Sequence, residues 1–260
     1  MHPIVADLLV AAGIILMLLV SFEVAFRAGR RAAAERDPSA SGQLGAIQGA
    51  ILGLLGLLLG FSFAAAGARF IEKQDLIVHE ANAIGTAYLR ADLLDEPFSS
   101  ELRETLRQYT ALRVEASARL RYGLTPGFIE ENDRLHERLW SVAHRGVKER
   151  PASTVAVVQS VNEVIDLHAL RLAAVKKHLP GLVLGLLMGS SVLAVGVIAY
   201  GCGLGGHRRM PMTIPLILVI GTALWITVDL DHPRSGLMQL SDAPLKGLKF
   251  NEATAPADGR

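Results

Sequence analysis

Cysteine is almost missing from this chain. Cys202 is the single one, so no intramolecular disulfide can form, and with no CxxC or Cys/His spacing the pattern proposes no zinc site. An excess of charge is missing as well. With 26 Lys and Arg against 25 Asp and Glu the net charge is +1, and no basic run resembles a patch for a nucleic-acid backbone, so nucleic acid is not expected as a partner. Enzyme signatures are equally scarce. There is no GxSxG, no HExxH and no phosphate-binding glycine loop, and the glycines fall inside apolar runs rather than between strand and helix. The centres of those runs carry no ionisable residue, which an intramembrane hydrolase would need despite its cost there. We therefore expect no catalytic residue, no metal and no cofactor.

What the sequence has in quantity is apolar length. Of 260 residues 51% are hydrophobic, and the mean hydropathy of +0.36 points to a membrane protein. The richest stretch runs from Leu44 to Leu94. Its first half, to Ala68, has no charge, and about 25 residues suffice to cross a bilayer core of about 30 Å as a helix. Gly45, Gly49, Gly53, Gly56 and Gly60, continued by Ala64 and Gly67, recur in steps of three and four and share one helical face. In lipid, small residues matter chiefly because they let another backbone come close, so a packing contact is expected there. Beyond Ala68, Phe70, Gln74, Ile77, Ala81, Ile84, Tyr88 and Ala91 keep a three/four spacing with no proline before Pro97. The spacing predicts one nearly continuous helix of about 50 residues, about 75 Å long at 1.5 Å per residue.

Three further spans are expected. Ile4 to Phe26 is apolar apart from Asp7, and Arg27, Arg30, Arg31 and Arg36 follow rather than precede it. That order argues for an uncleaved span with its N-terminus outside, not a signal peptide. Glu23 and Arg27, four apart, read as an interfacial ion pair or as a gating element. Asp37 to Gly42 reads as a loop. Leu179 to Leu204 is the third span, with a second small-residue face at Gly181, Gly185, Gly189 and Gly196. The expectation is that the second and third spans pack antiparallel through their two glycine faces. Met210 to Val228 is the fourth, placed by Pro211 and Pro215 and ending near Trp225.

Between the second and third spans lie amphipathic helices. Leu102, Leu106, Tyr109, Leu112, Ala116 and Leu120 form one apolar stripe on a helix capped by Ser99 or Ser100 and ending near Gly123. Thr125-Pro126 opens the next, with Phe128, Leu135, Leu139, Val142 and Trp140 as its apolar side, stopping before Pro151. Ser153 opens a third, with Val158, Val161, Ile165, His168, Leu172 and Val175 on one face; within that stripe His168 reads as a core histidine or a proton sensor. From Arg69 to Lys177 there are 16 acidic and 16 basic residues, so this bundle is about neutral. The expected architecture is an all-α membrane protein with four transmembrane helices and a helical extramembrane bundle between the second and third. Its boundaries are 1–68, 69–178, 179–229 and a polar tail at 230–260, the last ten residues disordered.

The segment Glu80-Ala81-Asn82-Ala83-Ile84-Gly85-Thr86-Ala87-Tyr88-Leu89-Arg90-Ala91-Asp92-Leu93-Leu94 resembles the bacterial bestrophin-like domain family. Phe22 to Arg27, Leu54 to Phe63 and Asp229-Leu230-Asp231-His232-Pro233-Arg234-Ser235-Gly236 are similar to it too, so the resemblance covers nearly the whole chain. It implies a multi-pass protein of the bacterial plasma (inner) membrane. True bestrophins are pentameric anion channels with four spans per subunit, whose second span lines a pore with a hydrophobic neck. Their aromatic neck has no counterpart here, and the acidic cluster that binds calcium in them is hinted at only by Asp229 and Asp231.

Two lines of residues are candidates for function. Gln48, Leu55, Ser62 and Arg69 recur every seven residues beside the glycine groove. Polar, apolar, polar and cationic in turn, they suit a conduit with a constriction at Leu55 supported by Ile51 or Leu58; the alternative is that Gln48 and Ser62 hydrogen-bond a neighbouring helix. Glu72, Asp75, His79, Asn82, Thr86 and Arg90 form a polar stripe further along, read as a vestibule with ion contacts or as a solvated face. Asp75 and His79 have metal-ligand spacing but no third ligand. Asp229 and Asp231 are expected to cap and anchor the chain rather than bind a cation. The expected function is a homo-oligomeric ion channel whose partners are the lipid bilayer, further copies of itself and ions; the alternative is a non-conducting scaffold or sensor whose helical domain binds a protein. Arginines in both short loops place those loops in the cytoplasm and the bundle outside.

Overall fold

A computed structural model describes residues 3–33, 40–119, 126–149, 151–233 and 236–250. Every element among them is helical. α1 is Pro3–Ala32, α2 Ala40–Arg90, α3 Phe98–Arg119, α4 Pro126–Glu149, α5 Thr154–Lys176, α6 Gly181–Leu204, α7 Met210–Asp231 and α8 Ala243–Lys246. Four helices are long and apolar enough to cross a membrane, so the chain is an all-α, multi-pass membrane protein. α2 has 51 residues. It is the long helix the sequence predicts, begun four residues before Leu44, inside the expected Asp37 to Gly42 loop. Leu120, Gly123, Thr125 and the last ten residues lie outside the described residues.

The chain divides into two units, Met1–Phe70 with His178–Gln239, and Ile71–Lys177 with Leu240–Arg260. In the first, α1 packs on both α6 and α7. These contacts are close because side chains are missing. A Cβ at Gly29 would meet the backbone of Tyr200, one at Gly203 the backbone of Phe26 and Arg30, and one at Gly221 the side chain of Ile15. Gly196 faces Ser21 and Ala25, and Ser21 donates its hydroxyl hydrogen to the carbonyl of Val192 at 2.9 Å. Lipid tails are as apolar as leucine, so burial gives helices no reason to associate in the bilayer; contact between bare backbones does. Leu18, Phe22, Phe26, Leu187, Val195 and Leu224 fill the space around these contacts.

The second unit has a water-type core. Ile77, Ala81, Ile84 and Tyr88 of α2 meet Leu102, Leu106 and Tyr109 of α3, Leu135, Leu139 and Val142 of α4, and Val157, Val161 and Val164 of α5. Leu245 of α8 closes this core, and the Gln74 amide is bonded to the backbone of Ser241 on both its oxygen and its nitrogen. Two expected faces need correction. Trp140 is exposed, because Leu139 beside it takes the inward position. On α5 the inward face runs through Val157, Val161, Val164, His168, Arg171 and Ala174; it shares Val161 and His168 with the expected stripe and keeps Val158 and Ile165 packed at its edge, but is rotated enough that Leu172 is exposed. The cause is Arg171, which points inward to a buried carboxylate.

Candidate functional site

Along α2 the line Gln48–Leu55–Ser62–Arg69 faces the helices of its own unit. Leu55 is 2% exposed and Ser62 6%. Leu55 belongs to the apolar cluster of α1, α6 and α7, with Ile51 and Leu58 packed against it. Gln48 donates from its amide nitrogen to the carbonyl of Val197 at 3.1 Å. It is the neighbour-helix bond that stood as the alternative for this residue. In the single chain, therefore, the line is a seam between helices, and a water-facing constriction at Leu55 does not fit it.

The glycine faces correct the expectation more sharply. Nothing lies within 4 Å of a Cβ built at Gly45, Gly49, Gly53, Gly56 or Gly60 of α2, or at Gly181, Gly185 or Gly189 of α6. The second and third spans do not clasp each other through these residues; the intimate small-residue contact belongs to α1, through Gly29, Gly203 and Gly221. At about 100° per residue the α2 glycines stand about 120° round the helix from Leu55. On the other flank Ile47, Leu54, Leu57 and Phe61 are exposed. So α2 has three sides in its membrane half, one packed, one bare and one bulky. Near its start, Gly45 and Gln48 join Gly201, His207, Arg209 and Thr213 around a cavity of about 400 Å³.

The charged ends of the spans are fastened locally. Glu23 accepts from Arg27 at 2.7 Å and lies 2.9 Å from Arg208, whose guanidinium stands over the ring of Phe26. This joins the two arginine-bearing loop segments. At the other end Arg69 Nη1 lies 4.0 Å from Asp231 Oδ1. The Asp231 carboxylate accepts the backbone N–H of Leu179 ahead of α6 at 2.9 Å. Asp229 accepts the N–H groups of Leu237 and Met238 at 3.0 and 2.9 Å, and its carboxylate fills the place a Cβ at Gly236 would need. Only glycine fits there.

The polar stripe of the second unit is not one surface. Glu72 pairs with Lys177 at 3.0 Å in solvent. Arg90 donates to the carbonyl of Ala156 at 3.0 Å and staples α2 to the start of α5. Asp75, His79 and Asn82 are exposed, and among the described residues no third side chain joins Asp75 and His79 in a metal-ligating group.

What the apolar reading missed is the residue at the head of the family-like segment. Glu80 is fully buried. Tyr109 donates to its Oε1 at 2.7 Å, Arg113 Nε at 2.9 Å, and Arg171 takes its Oε2. Burial alone would raise the Glu80 carboxyl; the two guanidiniums outweigh it and hold the group below the ordinary carboxylate range. The same burial and the Glu80 charge push the Tyr109 phenol well up. Beside them Asn132 Nδ2 lies 3.1 Å from His168 Nε2, and His136 sits edge-on to His168 with ring centroids 4.8 Å apart. Burial, then the Arg113 charge, lower both histidines, His168 to about 3. Both are therefore neutral at ordinary pH, and His168 is a core histidine. The signal was there in the spacing. Glu80 falls in step with Ile77 and Ile84, and a carboxylate on a buried stripe needs partners.

The family model of the bestrophin-like domain matches residues 12–245. Comparison with curated proteins and with solved structures gave no match. The matched span runs from within α1 to α8 and holds both the four apolar helices and the Glu80 cluster, and on it the chain belongs to the bestrophin-like domain family.

Proposed function

We propose that this protein is a homo-oligomeric ion channel, pentameric by analogy with true bestrophins, in which the bare side of α2 faces the conduit or the neighbouring copy. One observation carries the reading: five glycines of an uncharged, membrane-length helix meet nothing in their own subunit. A helix needs no such face against lipid, where leucine serves as well; glycine is informative only where another backbone or a narrow water column comes close. The packed side, Leu55 and Ser62, fixes the rotation of α2 from within the subunit, and the bulky side, Leu54, Leu57 and Phe61, suits acyl chains. On the bare side itself, Gly45 borders the cavity near the start of α2, which supplies a polar mouth at that end. The arginines of both short loops support a topology with those loops in the cytoplasm of a bacterial inner membrane and the helical unit outside.

Native mass spectrometry of the detergent-purified chain should give a multiple of 27.8 kDa, and planar bilayers holding it should show unitary currents. Gly56→Leu should lower the conductance several-fold or break the oligomer while each subunit stays folded. A monomer that passes no current overturns the channel. It would favour a scaffold, for which the exposed Val155, Leu170 and Leu172 of α5 offer a protein-binding surface.

A further inference from the structure

We propose that His178, Asp231 and His232 form a binding site for a divalent transition-metal ion, zinc by preference. The three come from two places in the sequence. His178 lies in the short segment between α5 and α6, while Asp231 ends α7 and His232 follows it. They meet at one carboxylate oxygen. Nδ1 of His178 lies 3.4 Å from Asp231 Oδ2 and Nδ1 of His232 lies 4.0 Å from the same atom. One ligand atom from each of the three falls within 4.8 Å of the others. Ligands held at 2.0–2.1 Å around a tetrahedral ion stand about 3.3 Å apart, so the longest edge of the triangle needs to close by about 1.5 Å at most.

The surroundings set the donors. The imidazoles are stacked, centroids 4.7 Å apart and planes 17° from parallel, which turns both Nδ1 edges toward the carboxylate. Their Nδ1 atoms lie 3.2 Å from the carbonyl of Asp231 and 3.1 Å from that of Val228. A carbonyl only accepts, so each Nδ1 carries a hydrogen without metal, and ligation through Nδ1 moves that hydrogen to Nε2, the tautomer a neutral imidazole ligand needs. Asp231 is 3% exposed and held on its backbone partner Leu179, with Arg69 on the Oδ1 side. The Leu179 N–H, shared by Oδ1 and Oδ2 at 2.9 and 3.0 Å, fixes the carboxylate while Oδ2 stands 3.4 and 4.0 Å from the two histidines, the support that orients a metal ligand. Capping Leu179 requires the aspartate alone; nothing in that role calls for two imidazoles beside it. Two nitrogens and one oxygen suit zinc, cobalt or nickel, and not calcium, which takes six or more oxygens. A fourth position is left for water, and the ion would strap the start of α6 to the end of α7. The site is independent of whether α2 conducts.

The test is zinc titration of the untagged, chelator-stripped full-length chain in detergent, by calorimetry and by the visible absorption of cobalt as a geometry probe. One ion per subunit with a tetrahedral cobalt spectrum is expected, with affinity at least tenfold weaker in His178→Gln and lost in the His178→Gln, His232→Gln double variant. Both histidines are about half exposed, so these variants fold, and unchanged elution volume verifies it. No zinc bound by the wild type, undiminished zinc in the double variant, or calcium bound in place of zinc would each overturn the proposal.

Discussion

The two units solve the same problem, holding long helices together, with opposite materials. In the membrane unit α1 meets α6 and α7 where Gly29, Gly203 and Gly221 remove side chains. In the other unit the helices are joined by large side chains and, at their middle, by a carboxylate between two guanidiniums. The difference follows the solvent. Water drives apolar surface together and so can support the desolvation of a few charges inside a core, whereas lipid supplies no such drive and only the fit of backbones remains. Both units also keep a buried aspartate or glutamate whose every oxygen has a backbone or cationic partner. For Asp229 and Asp231 those partners fasten chain ends; for Glu80 they join α2, α3 and α5.

The largest effect should come from breaking the charged core. Glu80→Gln leaves Arg113 and Arg171 buried without their carboxylate, and removing one partner of a buried pair costs about 3–5 kcal/mol. Chemical unfolding of the purified chain, followed by helical circular dichroism, measures it; a loss below about 1 kcal/mol, the level of an exposed pair, would mean the cluster is not a structural centre. Next comes the glycine contact. Gly203→Leu forces a side chain into the backbone of α1 and should cost at least the 1–3 kcal/mol, about, of an overpacked core. The same change at Gly56, where nothing is near, should leave subunit stability alone, so equal losses at both would erase the distinction between packed and bare glycines.

Smallest per step, though spread over several pH units, is a pH slope confined to the water-type core. An unfolded histidine takes up its proton near pH 6.5, while His168 stays neutral in the fold down to about 3. Between those values the unfolded chain binds more protons, so stability falls as pH falls, by up to about 1.4 kcal/mol per pH unit for one such group. His168→Gln should flatten the dependence of the unfolding midpoint between pH 6.5 and 4 by about one proton. An unchanged slope would remove His168 from the account; His136, also lowered, keeps its own share in either case.

Much of the architecture is readable along the chain, and the parts that are not share one cause. α2 is continuous because nothing between Ala40 and Arg90 breaks it, and α7 starts where Pro211 suits a first turn. Periodicity says which residues share a side of a helix. It does not say what that side meets. Leu55 and Gly53 both lie on plausible packing faces, and only the arrangement of α1 against α6 turns one inward and leaves the other bare. The rotation of α5 shows the same limit, since counting apolar residues passes over Arg171, whose inward turn is explained by a glutamate 91 positions away.

The sequence alone determined the number of spans, the length of α2 and the neutrality of the bundle, because hydropathy, glycine spacing and charge count are local properties that a helix inherits directly. The tertiary structure decided which glycines touch, that Glu80 is the centre of a charged core, and that His178 is brought to Asp231 and His232. Those depend on pairings across tens to hundreds of residues, where the energy of a contact is set by the partner and not by the position that seeks one.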